Sequence, residues 1–244
     1  LSASSNALTR IDVSGCQRLE NLNIDDNQLR SLDLSSNEVL GVLSANDNAI
    51  QVLDLSHNPL IRVANCERNS LATCNTDGCA ELLMLCVESN ELSSLDLSTN
   101  KSLSELYAAK NNLAKVDLAG LSLLSICELY DNRLERIKLD GCTSISELYL
   151  HNNKLAYLST WDCEAMRQLD CRNNLLKSLD LSNNLSMSFL FATENPLMTV
   201  VYINEKSDYN TISVDENVEV LYRTPGDFDD VSGDWGDDDI DPWK

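Results

Sequence analysis

Large aliphatic and polar residues alternate in short bursts along this chain, and the bursts return at a fixed interval. In Leu22-Asn23-Ile24-Asp25-Asp26-Asn27, Leu22 and Ile24 lie on one side of an extended backbone and Asn23 on the other. That alternation is the period-2 signature of a half-buried strand. Leu29 follows, and Leu32-Asp33-Leu34-Ser35-Ser36-Asn37 repeats the pattern with Asp33 outward. The whole unit recurs every 21 residues, a period that marks a stacked solenoid. One column of the repeat reads Leu8, Leu29, Ile50, Leu71, Leu92, Leu113, Leu134, Leu155, Leu176 and Leu197, all large aliphatics. The fold expected is therefore mainly β, with two short parallel strands per coil, Leu and Ile between the two sheets, and little or no α-helix. Coils spaced like neighbouring strands, about 4.8 Å apart, give a body roughly 45–50 Å long.

Two further columns frame the coil. Asparagine occupies the first without a miss: Asn6, Asn27, Asn48, Asn69, Asn90, Asn111, Asn132, Asn153, Asn174 and Asn195. A turn after a strand leaves backbone N–H and C=O groups buried, and an Asn side chain both donates and accepts. A stacked structural ladder is expected. The second column, ten residues behind, reads Cys16, Asn37, Asn58, Cys79, Asn100, Leu121, Cys142, Cys163, Asn184 and Glu205. Each unit is thus two similar halves, and ten units reach residue 205 with no insertion or deletion expected.

The motif resembles the leucine-rich-repeat family, in its bacterial 21-residue class with the pattern LxxLxLxxNxLxxLDLSxN. The second half matches closely at Leu32 to Asn37, Leu53 to Asn58, Leu95 to Asn100 and Leu179 to Asn184. The resemblance covers more than four fifths of the chain and extends to internalin-like and other secreted bacterial surface proteins. It implies a non-enzymatic module that binds protein or glycan, at the cell surface or outside the cell, and it names no ligand. The fourth repeat departs from the pattern, with Ala64, Cys66, Cys74, Thr76 and Cys79 in place of larger residues, so a narrower or bent coil is expected there.

The division expected is a solenoid over 1–205, cap strands over 206–223 and an acidic tail over 224–244. Val200-Val201-Tyr202-Ile203, Ile212 to Asp215 and Val218 to Tyr222 read as the last strands, covering an open sheet edge. The tail clusters Asp around Phe228, Trp235 and Trp243 without the spacing of an EF-hand loop. Leu1 already lies on a core column, with no recognisable cap or targeting segment before it. A trimmed form is expected, with self-association through that first coil as an alternative use of the open end.

Charge narrows the function. The formal net charge is −21, the opposite of a nucleic-acid footprint. No apolar run is long enough to span a bilayer. Part of the charge is a column, Asp12, Asp33, Asp54, Asp96, Asp117 and Asp180. Stacked carboxylates repel unless hydrogen-bonded or bound to cations. Acceptance from nearby Ser hydroxyl or backbone N–H groups is preferred here to calcium. Sequons at Asn100 and Asn184 fall on the inward ladder, so glycosylation there is not expected.

Nine cysteines admit three readings: buried free thiols, disulfides such as Cys142–Cys163, or zinc. Eight fall on inward columns, and only Cys86 is placed outward. Buried free thiols are the expectation, because the count is odd, no CxxC pair occurs, and only His57 and His151 could assist a metal. No metal, no cofactor, and no Ser/His/Asp set or phosphate loop is foreseen, so no enzyme is expected.

A binding face should lie where outward residues leave the consensus. The central outward column of the first sheet changes from Ser2, Asn23, Ser44 and Asn65 to Cys86, Tyr107, Glu128, Tyr149, Asp170 and Phe191. Beside it run Tyr130, His151 and Arg172, and on the other flank Glu105, Ile126, Glu147, Gln168 and Phe189. Aromatics beside charges suit a binding hot spot or a sugar platform. They also stabilise sheets as cross-strand neighbours. The candidate ligand-binding residues are Tyr107, Glu128, Tyr130, Tyr149, His151, Asp170, Arg172, Phe189 and Phe191. The alternative function is a structural, self-assembling scaffold without a small-molecule ligand.

Overall fold

The computed structural model describes residues 1–224; the acidic segment expected to form a tail lies outside them, apart from Thr224. The described chain is a parallel β-solenoid of about ten coils without helix. One face is a continuous sheet of ten strands. In spatial order these are β1 (Asn21–Asn23), β2 (Val42–Ser44), β4 (Val63–Asn65), β6 (Met84–Cys86) and β7 (Glu105–Tyr107), then β9 (Ile126–Glu128), β11 (Glu147–Tyr149), β12 (Gln168–Asp170), β14 (Phe189–Phe191) and β16 (Thr211–Ser213). A parallel bridge from Ser2 to Asn23 begins the row. From β1 to β14 each strand pairs with the residue 21 positions on, as in Leu22↔Leu43 and Leu148↔Leu169.

The second face departs from the expectation of an equally continuous sheet. It is broken into β3 (Val52–Asp54) with β5 (Thr73–Asn75), β8 (Lys115–Asp117) with β10 (Arg136–Lys138), and β13 (Ser178–Leu181) with β15 (Val200–Ile203) and β17 (Glu219–Tyr222). The outward residues supply a reason. Where Asp faces Asp, at Asp12/Asp33, Asp33/Asp54 and Asp96/Asp117, no strand pair forms. Where Asp54 faces Asn75, the amide donates to the carboxylate at 3.0 Å and β3 pairs β5. Where Asp117 faces Lys138, β8 pairs β10. Like charges directly opposite oppose pairing.

The core between the faces is a single aliphatic column array. Leu22, Leu29, Leu43, Ile50, Leu71, Leu85 and their counterparts are essentially inaccessible, and burial of each such side chain contributes about 1.5–3 kcal/mol. Leu8 is only half-buried, and Leu197 is exposed, with Met198 buried in its stead. The uninterrupted period fails here. The turn at Pro196–Leu197 carries one extra residue, so Phe189 pairs Thr211 and Ser178 pairs Val200, 22 positions on. In consequence Glu205 is exposed, and Ser207 Oγ makes the ladder bond to the Asn184 carbonyl at 3.4 Å; the buried Asn204, just after Ile203 in register with Leu181, donates from Nδ2 to the Ser182 carbonyl at 2.8 Å. The last strands extend both faces: β16 continues the ten-stranded sheet and β17 the three-stranded one. In the fourth repeat Ala64, Cys66, Thr76 and Cys79 are buried, and the sheet runs through in register from β2 to β4 to β6.

The asparagine ladder is present in the form expected. Asn90 donates from Nδ2 to the carbonyls of Cys66, Val87 and Glu88 at 2.9, 3.0 and 3.2 Å, and its Oδ1 accepts from the Leu71 N–H at 2.9 Å. The donors thus tie each turn to its own coil and to the coil before. The Asp column is satisfied as expected too: Ser14, Ser35, Ser56, Ser98, Ala119 and Ser182 donate backbone N–H groups to the Asp two residues earlier. The hydroxyls of the following serines, then these N–H groups, hold Asp12, Asp33 and Asp54 below the ordinary carboxylate range, and the Ser98 N–H, then its hydroxyl, does so for Asp96.

All nine cysteines are free. Two depart from their expected placement. Cys16 is exposed, because its coil has a neighbour on one side only, and Cys86 is buried at 5% exposure. Cys86 stands on the outward column, but its thiol donates to Glu67 Oε1 at 2.8 Å and is covered. Desolvation raises the thiols of Cys66, Cys74, Cys79, Cys127, Cys142, Cys163 and Cys171, that of Cys74 to about 12 and that of Cys79 to about 11. Such thiols are inert as nucleophiles at neutral pH.

Candidate functional site

Parallel register carries the irregular outward residues into one patch. Cys86, Tyr107, Glu128, Tyr149, Asp170 and Phe191 stand side by side on consecutive strands β6, β7, β9, β11, β12 and β14. Residues two positions away on a strand share its face, so Tyr130, His151 and Arg172 flank this row. An open depression is lined by Glu128, Tyr130, Tyr149, His151, Gln168, Asp170, Arg172 and Phe191. It gathers seven of the nine candidate residues. Tyr107 and Phe189 lie on the same sheet beside it, with Phe189 37% exposed.

The side chains in the patch hold one another in place. Tyr130 and His151 stack with ring centroids 4.6 Å apart and planes 5° from parallel. Lys110 Nζ lies 5.4 Å from the Tyr130 centroid and is paired with Glu88 at 2.7 Å. Arg172 clamps Asp170 through Nε at 2.9 Å and a terminal nitrogen at 2.6 Å, the bidentate fork that fits a carboxylate. Asp170 is consequently buried, at 4% exposure, and acts as the anchor of Arg172 more than as a free contact. Arg172 also sits 5.7 Å from the Phe191 ring centroid. His151 Nδ1 comes within 3.3 Å of Asp170 Oδ2 but lacks hydrogen-bond alignment and has no partner. The phenols of Tyr107 and Tyr149 donate to Glu105 and Glu147, each at 2.8 Å. Burial, with those bonds, raises both phenols, Tyr149 to about 12. Burial first, then the carboxylates of Glu88 and Glu147, raise Glu128 above the ordinary glutamate value.

Chemically this is a rigid, half-desolvated face of rings and charges. Among the described residues no group of three or more His, Cys, Asp or Glu is placed to hold a metal ion.

The outward columns singled out in the sequence come together on this face, but the bracing among them was not foreseen. Arg172 and Asp170 are neighbours on one strand face, and the i, i+2 spacing of opposite charges was a usable signal for their pairing. The Glu–Tyr pairs at Glu105/Tyr107 and Glu147/Tyr149 carry the same signal.

Solved structures resemble this solenoid along nearly its whole length. The functional domain of InlJ from Listeria monocytogenes, which includes a cysteine ladder, superposes with TM-score 0.63 and 25% identity over 91% of this chain. The chain is a leucine-rich-repeat solenoid. A leucine-rich-repeat protein of Leptospira interrogans matches with TM-score 0.69 and 16% identity over 90% of the chain, and the LRIM1/APL1C complex with TM-score 0.57 and 16% identity over 82%. This chain spans 57%, 65% and 51% of those structures. No protein-family model and no curated protein matches the sequence. Among its described residues no helix is long and apolar enough to cross a membrane.

Proposed function

We propose that this solenoid is a non-enzymatic recognition module that captures a protein or glycan ligand on the aromatic and acidic stretch of its continuous sheet. The observation that carries the reading is the braced patch itself. Tyr130, His151, Asp170 and Arg172 are locked to one another, so a ligand meets side chains that lose little freedom on binding. Rigid aromatics bordered by charge are what interface hot spots are made of. The internalin-like neighbours support a bacterial setting, at the cell surface or secreted. The net charge of −21 argues against nucleic acid as the ligand.

The test is a glycan and protein binding screen on the isolated chain, repeated with Tyr107→Ala, Tyr149→Ala and Phe191→Ala combined. Loss of capture with a melting temperature lowered by only a few degrees supports recognition. A collapse of the melting temperature makes these rings structural. Concentration-dependent light scattering addresses the scaffold reading, which predicts growth of large species with the patch intact.

A further inference from the structure

One carboxylate on the recognition face has no partner. Glu128 stands in register between Tyr107 and Tyr149 on the adjoining strands. Ile126 precedes it by two residues and Tyr130 follows it by two, so three tyrosines and an isoleucine surround it. The other carboxylates of this face are each engaged. Glu105 and Glu147 accept from the two phenols, Glu88 from Lys110, Glu67 from the Cys86 thiol and Arg68, and Asp170 from Arg172. Glu128 accepts no side-chain hydrogen bond and joins no ion pair among the described residues. It is also half-buried and held above its ordinary pKa by that burial and by Glu88 and Glu147.

An unpaired, partly desolvated charge costs folding stability. A cationic group placed over it would meet a carboxylate below and phenol rings around, the surroundings that favour a guanidinium or ammonium. A neutral sugar gains less, because it brings no charge to the carboxylate and two rings of the patch, Tyr130 and Phe191, are already covered. His151 covers Tyr130 from the following coil, Lys110 approaches it from the preceding one, and Arg172 lies over Phe191. The overall charge of −21 would draw a basic partner to the surface.

We infer that the face takes a basic segment of a protein partner, with one arginine or lysine side chain seated on Glu128 among Tyr107, Tyr130 and Tyr149. The inference rests on the reading of this face as a recognition surface.

The test uses the full chain and a fluorescein-labelled peptide of three arginines separated by serines, beside the same peptide with neutral citrulline for arginine. Anisotropy titrations compare the unaltered chain with Glu128→Gln and with Glu135→Gln, which removes the same charge from an exposed position in another column. The arginine peptide should bind and the citrulline peptide should not. Glu128→Gln should weaken binding by about tenfold and melt no lower than the unaltered chain, whereas Glu135→Gln should stay within about twofold. Absence of binding, equal binding of the two peptides, or equal effects of the two substitutions overturns the inference. If the peptide fails while an oligosaccharide or another protein is captured and lost in Tyr149→Ala, recognition stands and the cation falls. If nothing is captured, both fall.

Discussion

The two ladder columns differ in what the backbone asks of one side chain. A first-column Asn must donate to carbonyls and also accept from the N–H of the preceding coil, as Asn111 does for Leu92 at 2.9 Å while donating to Val87, Ala108 and Ala109. An amide brings two donor hydrogens and a separate acceptor oxygen at once, which neither a hydroxyl nor a thiol does. In the second column Asn58 donates to Leu34 and Asn37, and its Oδ1 has no donor at all. A thiol can serve there, and Cys79 donates from Sγ to the Leu55 carbonyl at 3.2 Å. Thr76 and Thr160 supply the missing donor to Asn100 and Asn184. Asn111→Cys should therefore cost about 3 kcal/mol, by leaving the buried Leu92 N–H and at least one of the Val87 and Ala108 carbonyls unpaired, and Asn58→Cys only about 1 kcal/mol; urea denaturation of the two variants measures the gap. A second residue-level feature was not legible. The residue before each first-column Asn adopts positive φ, from 50° to 61°, at Ser5, Asp26, Asp47, Arg68, Ser89, Lys110, Asp131, Asn152, Asn173 and Glu194. None is glycine, and only some are the Asn or Asp that tolerate this region. Composition gave no sign of it because neighbouring coils compensate through pairs such as Arg68 with Asp47 and Asn152 with Asp131. Ser89 has no such side-chain pair, and Ser89→Gly should raise stability by about 0.5–1 kcal/mol in thermal melting.

At the scale of the element, alternation predicted both strands of the coil but not whether they would pair. Leu22-Asn23-Ile24 and Leu32-Asp33-Leu34 look equivalent in sequence, yet β1 is a strand and the residues around Asp33 are not. Core burial sets which side faces in; the outward neighbours one coil away decide whether the ladder closes. Reading columns down the stack, as well as along the chain, would have shown Asp over Asp at the unpaired junctions. The Asn75/Asp96 junction and the coil of Ser159 are also unpaired, and charge alone does not account for them. Lys138→Asp should open the β8–β10 pair, costing about 0.5–1 kcal/mol and speeding amide exchange at Leu118, whose N–H donates to the Lys138 carbonyl. Lys138→Asn should keep the pair closed, as Asn75 does beneath Asp54. The same carboxylates set the acid limit. Their folded values lie below the ordinary 3.8, through bonds from the following Ser residues. Their contribution is thus fully present above 3.8 and is lost as pH falls through the lowered values. Glu128 runs the other way, because its folded value is raised. Its ionisation weakens the fold as pH climbs through that value, so the Glu128→Gln variant should gain on the unaltered chain between acid and neutral pH. Melting curves of Glu128→Gln and Asp96→Ala across that range should diverge with opposite sign.

For the whole molecule, the same stacking that gives each coil its neighbours also stacks charge. The one insertion, at Pro196–Leu197, shows how the array absorbs an irregularity. The first ladder stays in place at Asn195, which still accepts from Leu176, and the register shifts only beyond it. Coils interact with their neighbours alone, so such a shift need not propagate backward. Charge is not so contained. Residues 225–244 hold eight Asp and one Lys of the net −21, so residues 1–224 carry −14; that charge acts across about two coils, since the screening length is about 10 Å at 0.1 M salt and about twice the coil spacing. Favourable pairs exist, Arg68 with Asp47 and Glu67, Lys110 with Glu88, Arg172 with Asp170, Arg223 with Asp180, but exposed pairs contribute little each. Self-repulsion should win, and raising NaCl from about 0.02 to about 0.3 M should lift the melting temperature by several degrees. The same salt should slow association with a basic partner, because steering toward the acidic face is screened. Stability rising while the association rate falls would locate both effects in one field. A melting temperature that fell with salt would mean instead that the local pairs outweigh the field, and that the acidic face is balanced where it stands.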